Sequence, residues 1–378
     1  MATLTAPDTL NYAPSPCHPV EAGTPLAPPP GPAQSGLAQT LAFGLDPYGY
    51  ALANEGRYGD TWSMRLAIRP EVHLTTSHPD HIKAVFTANP SDAPSLTGES
   101  PLRPIVGPNS VLTLLGDEHM RQRKLLLPAF HGDMVARYIE MIERVVEREI
   151  DGWKPGSSFA LAPRMQAVTL EVIMRGVLGF EEPGSWRTPQ RRFREAIRFF
   201  LNASNNVAYQ LAELATIRRT EPSGALKLFA ATVDRELYPL IKQRRAEGED
   251  PSRRDVFSML LAARDEQGQP MTDQELRDEL LSLILAGHET TANSLAWTFE
   301  RLIRNPEPYA KLKGLVRDGD AQAADAYVEA TIHEGMRVRP VISLVVRRAE
   351  RPWRFGQYVV GTGTPVVLSI IGVHHRHD

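Results

Sequence analysis

Cysteine is almost absent. Cys17 is the one thiol in 378 residues, so no internal disulfide can form and the redox compartment is unconstrained. An excess of one charge is lacking as well. The 42 Lys and Arg against 45 Asp and Glu leave a net charge of −3, which argues against nucleic acid as a partner. No uninterrupted apolar run reaches the ~18 residues that cross a bilayer, so no membrane span is expected. The N-terminus holds Pro, Ser, Thr and Ala where a signal peptide would carry a basic and then an apolar stretch, so a cytoplasmic protein is the default. What is present is 42% hydrophobic and long enough to bury a large core, in one large domain or two smaller ones.

Residues 1–36 are rich in Pro and small side chains, including Pro28-Pro29-Pro30-Gly31-Pro32, and read as a flexible arm. A helix is expected over 46–58, strands over 61–68 and 72–76 with a turn at Arg69-Pro70, and a helix over 78–88. Residues 89–116 read as a long loop, a length that usually serves function. From 117 to about 348 the periodicity is helical, in segments near 117–130, 133–151, 163–179, 186–205, 222–247 and 253–265. The segment 272–304 is the longest, about 50 Å at the rise of an α-helix. Thr272 and Glu275 form a capping-box signature at its start, and Asn305-Pro306 stops it. Helices at 307–317 and 322–337 follow, then β-branched runs at 341–347, 353–360 and 365–371. No internal repeat is visible. The expected fold class is mainly α: a large helical body with a long central helix, and a small β part made from both ends of the chain.

The run LILAGHETTANSLAWTF at 283–299 sets an acid, Glu289, and a hydroxyl, Thr290, beside Ala286 and Gly287 in the middle of that long helix. Residues three or four apart share a helix face, so Leu280, Leu283, Ile284, Gly287, Thr290 and Ser294 form a stripe that turns from apolar to small and polar. Glycine in a helix interior costs ~1 kcal/mol against alanine and calls for a reason. One reason is a close helix crossing with Thr290 back-bonded to a carbonyl; the other is a site. His119 and Arg123, four apart, can point the same way and suit a carboxylate, or belong to a solvated basic face. Glu334 and Arg337 within EGMR share a face; alone they are a surface pair worth ~0.3–0.5 kcal/mol. His374, His375 and His377 look like metal ligands at first sight.

Taken together, H-x-x-x-R at 119–123, A-G-x-E-T-T at 286–291 and E-x-x-R at 334–337, with Arg347 in VVRRA and the closing SIIGVHHRHD, resemble the cytochrome P450 family of haem-thiolate monooxygenases over roughly residues 28–378. The resemblance implies the P450 fold and haem b. It also implies an apolar small-molecule substrate, and electrons from NAD(P)H through a redox partner, of the ferredoxin type in a soluble bacterial system. By it, His119, Arg123 and Arg347 bind haem propionates, with Arg348 the lesser candidate for the last role. Ala286 and Gly287 lie over the haem, with Gly287 leaving space for dioxygen. Glu289 and Thr290 guide protons to the oxygen site, since O–O cleavage needs protons delivered there and nowhere else. Glu334 and Arg337 are a structural ion pair, the histidine run is a short helix start, and 90–115, 190–215 and 341–346 border the substrate. Arg121, Arg123 and Lys124 are a candidate face for an acidic partner, a solvated face being the alternative.

One departure matters. Family members hold iron by a cysteine thiolate in a Gly- and Phe-containing loop near the C-terminus, which pushes electron density onto the metal. Cys17 lies far upstream of every motif and has no matching context. The expectation is an incomplete P450 domain over 37–378, a fragment whose axial cysteine lies beyond Asp378 and whose haem-loop portion is missing. The alternative is a natural, non-catalytic truncated remnant or binding protein. The 378 residues by themselves are expected not to hold haem. Reduced, carbon-monoxide-treated chain should show no thiolate-type Soret band, and the appearance of that band would refute the expectation.

Overall fold

The computed structural model of the chain describes residues 12–378 apart from 68, 96–101, 131, 181–187, 205–221, 223, 251, 252, 254, 319 and 320. In chain order the first elements are β1 (Cys17–Pro19), α1 (Gly36–Leu45), α2 (Pro47–Tyr58), β2 (Thr61–Leu66), β3 (Arg69–Thr76) and α3 (Pro79–Thr87). Helices follow: α4 (Arg103–Val106), α5 (Gly116–Leu126), α6 (Gly132–Asp151), α7 (Leu161–Gly176), α8 (Pro189–Ser204), α9 (Gly224–Glu247), α10 (Val256–Ala262), α11 (Asp273–Arg304), α12 (Pro306–Asp318) and α13 (Ala321–Val338). The described residues close with β4 (Leu344–Arg348), β5 (Trp353–Phe355), β6 (Tyr358–Val360), β7 (Pro365–Ser369) and α14 (Ile370–His374). The fold class is as expected: mainly helical, with small sheets.

The chain divides into two compact units, one of Met1–Leu96 with Trp297–Asp378 and one of Thr97–Ala296. The first holds the sheets, one in the order β1-β5-β6 and one in the order β2-β3-β7-β4. β3 and β7 are parallel, with Thr75 opposite Val367; the other pairs are antiparallel. The β part is therefore built from both ends of the chain. Leu74, Val366 and Leu368 are buried in its core with Trp353 and Phe355.

Several details depart from the sequence reading. Of the arm at 1–36, residues 1–11 lie outside the described residues, but the rest is tied down. Cys17 pairs with Phe355, Ala27 bridges to Val359, and Ser63 donates its N–H to Pro30 O at 2.8 Å. A proline-rich strand without apolar alternation can still add hydrogen bonds to a sheet edge. α1 was not foreseen; Ser35 caps it by accepting from Ala38 N. Arg69 and Pro70 belong to β3 and not to a turn. The strand expected over 353–360 is a hairpin of two, because Gly356 takes φ 61°. The 365–371 run changes to helix at Ile370, where Ser369 accepts from Gly372 N. The capping box is as read: Thr272 N donates to Glu275 Oε2 at 2.7 Å and Glu275 N to Thr272 Oγ1 at 3.1 Å.

The second unit packs around α11. Leu276, Leu280 and Ile284, at helical spacing, are fully buried among Met174, Phe193, Ile197, Leu237, Ile241, Phe257 and Leu260. An adjoining stripe of α11 is polar and holds a loop. Asp278 Oδ2 accepts from Asn109 N at 3.0 Å and from Asn109 Nδ2 at 2.9 Å. Glu279 Oε1 accepts from Val111 N at 2.7 Å, and the Ser110 and Ser282 hydroxyls bond at 2.5 Å. Gly107 has φ 98°, and a Cβ there would overlap the Asp278 carboxylate, so the approach needs glycine. Residues expected to form an open loop are thus fastened to the long helix by its buried acids.

Glu279 is fully buried, and burial, seconded by Asp278 and Glu275, pushes its carboxyl up to about 8. Between the ordinary carboxylate range and about 8 the unfolded chain has lost a proton that the folded chain keeps, so this group makes stability fall as pH rises through that window. Glu279→Gln is expected to flatten that fall in urea-unfolding midpoints taken from about pH 5 to about pH 9. Parallel pH profiles for parent and variant would contradict it.

Candidate functional site

Within Thr97–Ala296, the candidate residues sit on α5 and on the middle of α11. The long helix is unbroken from Asp273 to Arg304, so the glycine does not interrupt it. What changes is exposure. Leu280 and Ile284 are buried, whereas Ala286 is exposed and Gly287, Glu289 and Thr290 are half-buried. Thr290 Oγ1 donates to Ala286 O one turn back. That hydrogen bond fixes the rotamer and commits the hydroxyl proton, leaving the oxygen free only to accept.

Gly287 is used differently from expectation. A Cβ placed on it would lie 2.9 Å from Ile173 Cδ1 of α7, so its bare face receives a neighbouring side chain and is not open space. This is the close crossing named as the alternative. Ala286 and Thr290, four apart, form the more open surface. At about 100° per residue, Glu289 falls between that surface and the side on which His288 sits. Both His288 and Glu289 line a cleft of about 350 Å³, with Gln166 and Glu171 of α7 and Arg194 and Arg198 of α8.

Sequence reasoning passed over His288. It is only 3% exposed, its Nε2 lies 3.1 Å from Gln166 O, and burial lowers its pKa, the Gln166 carbonyl opposing. The signal available was a titratable residue placed in an otherwise buried helix beside an acid.

On α5, His119 is half-buried and Arg123 exposed, one turn apart. Burial, then the adjacent Arg123 charge, holds His119 below the usual imidazole range. Neither side chain has an ion pair or hydrogen bond among the described residues. Their neighbours are different. Arg121 binds Asp265 at 2.7 Å and Glu275 at 2.5 Å, and Lys124 binds Glu266 at 2.6 Å. The basic cluster proposed as a partner face is therefore mostly spent on internal pairs, because α5 packs its cations against the turn at 265–266 and the start of α11. His119 and Arg123 are the donors left over, and together they can bind a carboxylate.

In the other unit, Arg347 on β4 is half-buried. Its Nη1 lies 3.3 Å from Ser95 Oγ and 3.2 Å from Val346 O, its guanidinium is 5.3 Å from the Phe86 ring centroid, and burial lowers its pKa. No carboxylate pairs with it among the described residues. Glu334 and Arg337 form a two-pronged pair, at 2.7 and 2.8 Å, and Arg337 also donates to His374 O. That ties α13 to α14 and involves the histidine run through a main-chain carbonyl. The pair lowers the Glu334 pKa and raises that of Arg337.

The haem implied by the sequence resemblance can be tested against these residues. Within the helical unit, the unpaired donors His119 and Arg123 suit a carboxylate, and the Ala286–Thr290 surface suits an oxygen-binding face; in the other unit Arg347, taken by itself, also suits a carboxylate. A thiolate does not come from Cys17. Its thiol is held in β1, with Sγ 4.0 Å from His81 O, and burial, with Asp80 adding, pushes it up to about 12. Among the described residues no helix is long and apolar enough to cross a membrane.

Comparison with known proteins agrees with the sequence resemblance. A family model described as Cytochrome P450 matches residues 28–378. The chain is 35% identical over 352 residues to a putative cytochrome P450 135B1 of Mycobacterium bovis, covering 92% of this chain and 72% of that protein. It is 32% identical over 346 residues to a putative cytochrome P450 135A1 of Mycobacterium tuberculosis, covering 92% and 75%. Among solved structures, the retinoic acid-bound cyanobacterial CYP120A1 superposes with a TM-score of 0.75 at 21% identity, over 94% of this chain and 79% of that one.

The role of Gly287 in packing is open to a double-mutant cycle. Gly287→Ala and Ile173→Ala, singly and together, are expected to show a coupling of ~0.5–3 kcal/mol in unfolding free energy, because the new methyl needs the space that Ile173 occupies. Strict additivity would mean that the glycine faces open space.

Proposed function

The chain belongs to the cytochrome P450 family of haem monooxygenases, and from that premise we propose that it forms part of a soluble, cytoplasmic enzyme that inserts one oxygen atom of O2 into an apolar small molecule. Family members carry haem and receive NAD(P)H-derived electrons through redox partners; here the partner is proposed to be a ferredoxin. Haem b supplies the oxygen-activating redox chemistry when bound. His119, Arg123 and Arg347 are assigned to its carboxylates, because each is a donor without an acidic partner among the described residues.

The observation that carries the reading is the Ala286–Thr290 turn. Because the Thr290 proton is committed to Ala286 O, its oxygen accepts a hydrogen bond and so orients a water or a proton donor. Glu289, half-buried beside it and facing a cleft, is placed to exchange protons with solvent and pass them inward. Ala286, and not Gly287, is assigned the position bordering the oxygen site. Glu334 and Arg337 have a structural role, holding α13 to α14.

Cys17 is not suited to supply the axial thiolate, and the chain spans 72% of the length of the Mycobacterium bovis relative. The environment of Cys17 also supports a second reading, a non-catalytic remnant or binding protein. Reading the DNA downstream of codon 378 separates the two: an open frame continuing to a cysteine-containing loop supports the enzyme, and a stop codon the remnant.

In the complete enzyme, Thr290→Ala should leave NAD(P)H consumption largely intact and divert it to peroxide, with product falling roughly 10-fold or more. Equal product per NAD(P)H in variant and parent would remove Thr290 from the proposed role.

A further inference from the structure

A surface helix ordinarily turns its apolar side to the core and its polar side to water. In α1 the order is reversed. Gln39 is only 1% exposed, and every polar atom of its amide is engaged. Its Nε2 donates to Pro32 O at 3.2 Å and to Gln34 O at 2.8 Å, and its Oε1 accepts from Arg65 N at 3.0 Å and from Tyr50 OH at 3.1 Å. Thr40 Oγ1 donates to Gly36 O at 2.7 Å and accepts from Ala67 N at 2.8 Å. Half-buried Phe43 meets the Tyr50 ring edge-on, with 6.0 Å between centroids. At about 100° per residue, Gly36, Gln39, Thr40 and Phe43 share the inner arc of the helix.

The outer arc holds Leu37, Ala38, Leu41, Ala42 and Leu45, all exposed. The three leucines stand four apart and are 62%, 58% and 86% exposed. Single exposed apolar side chains are ordinary, whereas a continuous helix face of them marks a contact surface. No charge interrupts it, since the chain carries none from Ala22 to Leu45. The next acid, Asp46, is occupied in capping α2, with its Oδ1 accepting from Gly49 N at 2.9 Å.

A protein partner or a second copy fits this face poorly. A stable interface takes about 800 Å² from each partner and has a polar rim. α1 is only ~15 Å long and ~10 Å across, and its open face has no polar rim. A lipid surface requires neither matched shape nor a rim. It needs apolar side chains that enter the acyl boundary and a cation for the headgroup phosphates. Arg65 supplies the cation. It is exposed, its main-chain N–H is bonded to Gln39 of α1, and no acid pairs with its guanidinium among the described residues. Ten residues are too few to cross a bilayer, so the helix would lie in the plane of the surface.

We propose that α1 docks the protein reversibly on a membrane surface, with Leu37, Leu41 and Leu45 entering the headgroup–acyl boundary and Arg65 pairing with anionic lipid. The proposal is independent of the monooxygenase reading, and its test needs no cofactor.

The full chain is mixed with phosphatidylcholine vesicles, with and without phosphatidylglycerol, and sedimented. The parent should bind both kinds, the anionic vesicles more tightly. Leu41→Gln should weaken binding about tenfold on both. Arg65→Gln should weaken it about fivefold on the anionic vesicles alone. Val316→Gln removes an apolar side chain that is 59% exposed on α12, and should change neither. A parent that stays in the supernatant, or Leu41→Gln binding as the parent does, overturns the proposal. So does an equal loss in Val316→Gln, which would mean general stickiness. In Leu41→Trp, lipid with brominated acyl chains should quench fluorescence beyond the parent's own loss. If Leu41→Gln does not fold, that quenching decides, and its absence overturns the docking. Sedimentation equilibrium without vesicles should find a monomer; a dimer abolished by Leu41→Gln would assign the face to a second copy instead.

Discussion

Everything at the candidate site depends on how firmly one helix is held. The first turns of α11 are packed to near-zero exposure at Leu276, Leu280 and Ile284, and its adjoining acids grip the main chain at 109–111. That burial positions a helix whose next turn is allowed to be small, polar and partly open. A side chain such as Thr290 can be placed to within a fraction of an ångström only if the helix beneath it cannot slide, and apolar packing at native density supplies that resistance. The same helix accepts α7 closely at Gly287, where a methyl group would meet Ile173. The AGHETT run therefore does two jobs on two faces: close packing at Gly287, and an accessible surface at Ala286 and Thr290.

A second theme is the pairing of charge. Several arginines of the helical unit have carboxylate partners: Arg121 with Asp265 and Glu275, Arg277 with Asp234 and Asp278, Arg194 with Glu171. Against that background His119 and Arg123, and Arg347 in the other unit, lack an acid. An exposed unpaired cation is unremarkable in water, but Arg347 is half-buried, and desolvating a guanidinium without an acid is costly. Arg347 meets that cost in part through Ser95 Oγ, Val346 O and the face of Phe86. Local sequence could not reveal which basic residues are internally satisfied. Arg121, Arg123 and Lys124 are neighbours along the chain, and only the approach of the turn at 265–266 separates them.

Much of the architecture was legible. The capping box at Thr272 and Glu275, the stop at Asn305-Pro306 and the helical periodicity between them placed α11 to within a residue, since these signals act through local hydrogen bonds and side-chain spacing. The Glu334–Arg337 pair was legible for the same reason. Elements defined by long-range partners were not. β1 has three residues and no alternation worth reading, and it exists because β5 offers an edge some 330 positions later. The arm at 12–36 looked flexible by composition, yet it is fixed by Ala27 to Val359 and by Ser63 to Pro30.

The chain by itself determined the family, the long helix and the identity of the acid and hydroxyl on it, because spacing along a helix converts directly into shared faces. It also determined that Cys17 is the sole thiol. Tertiary structure alone decided which face of that helix is open and which is packed, which cations remain unpaired, and that His288 is buried with one nitrogen satisfied and the other not. Those outcomes turn on which neighbour arrives at a given side chain. That depends on residues far away in sequence, whose positions are set by the packing of the whole core and not by any local pattern.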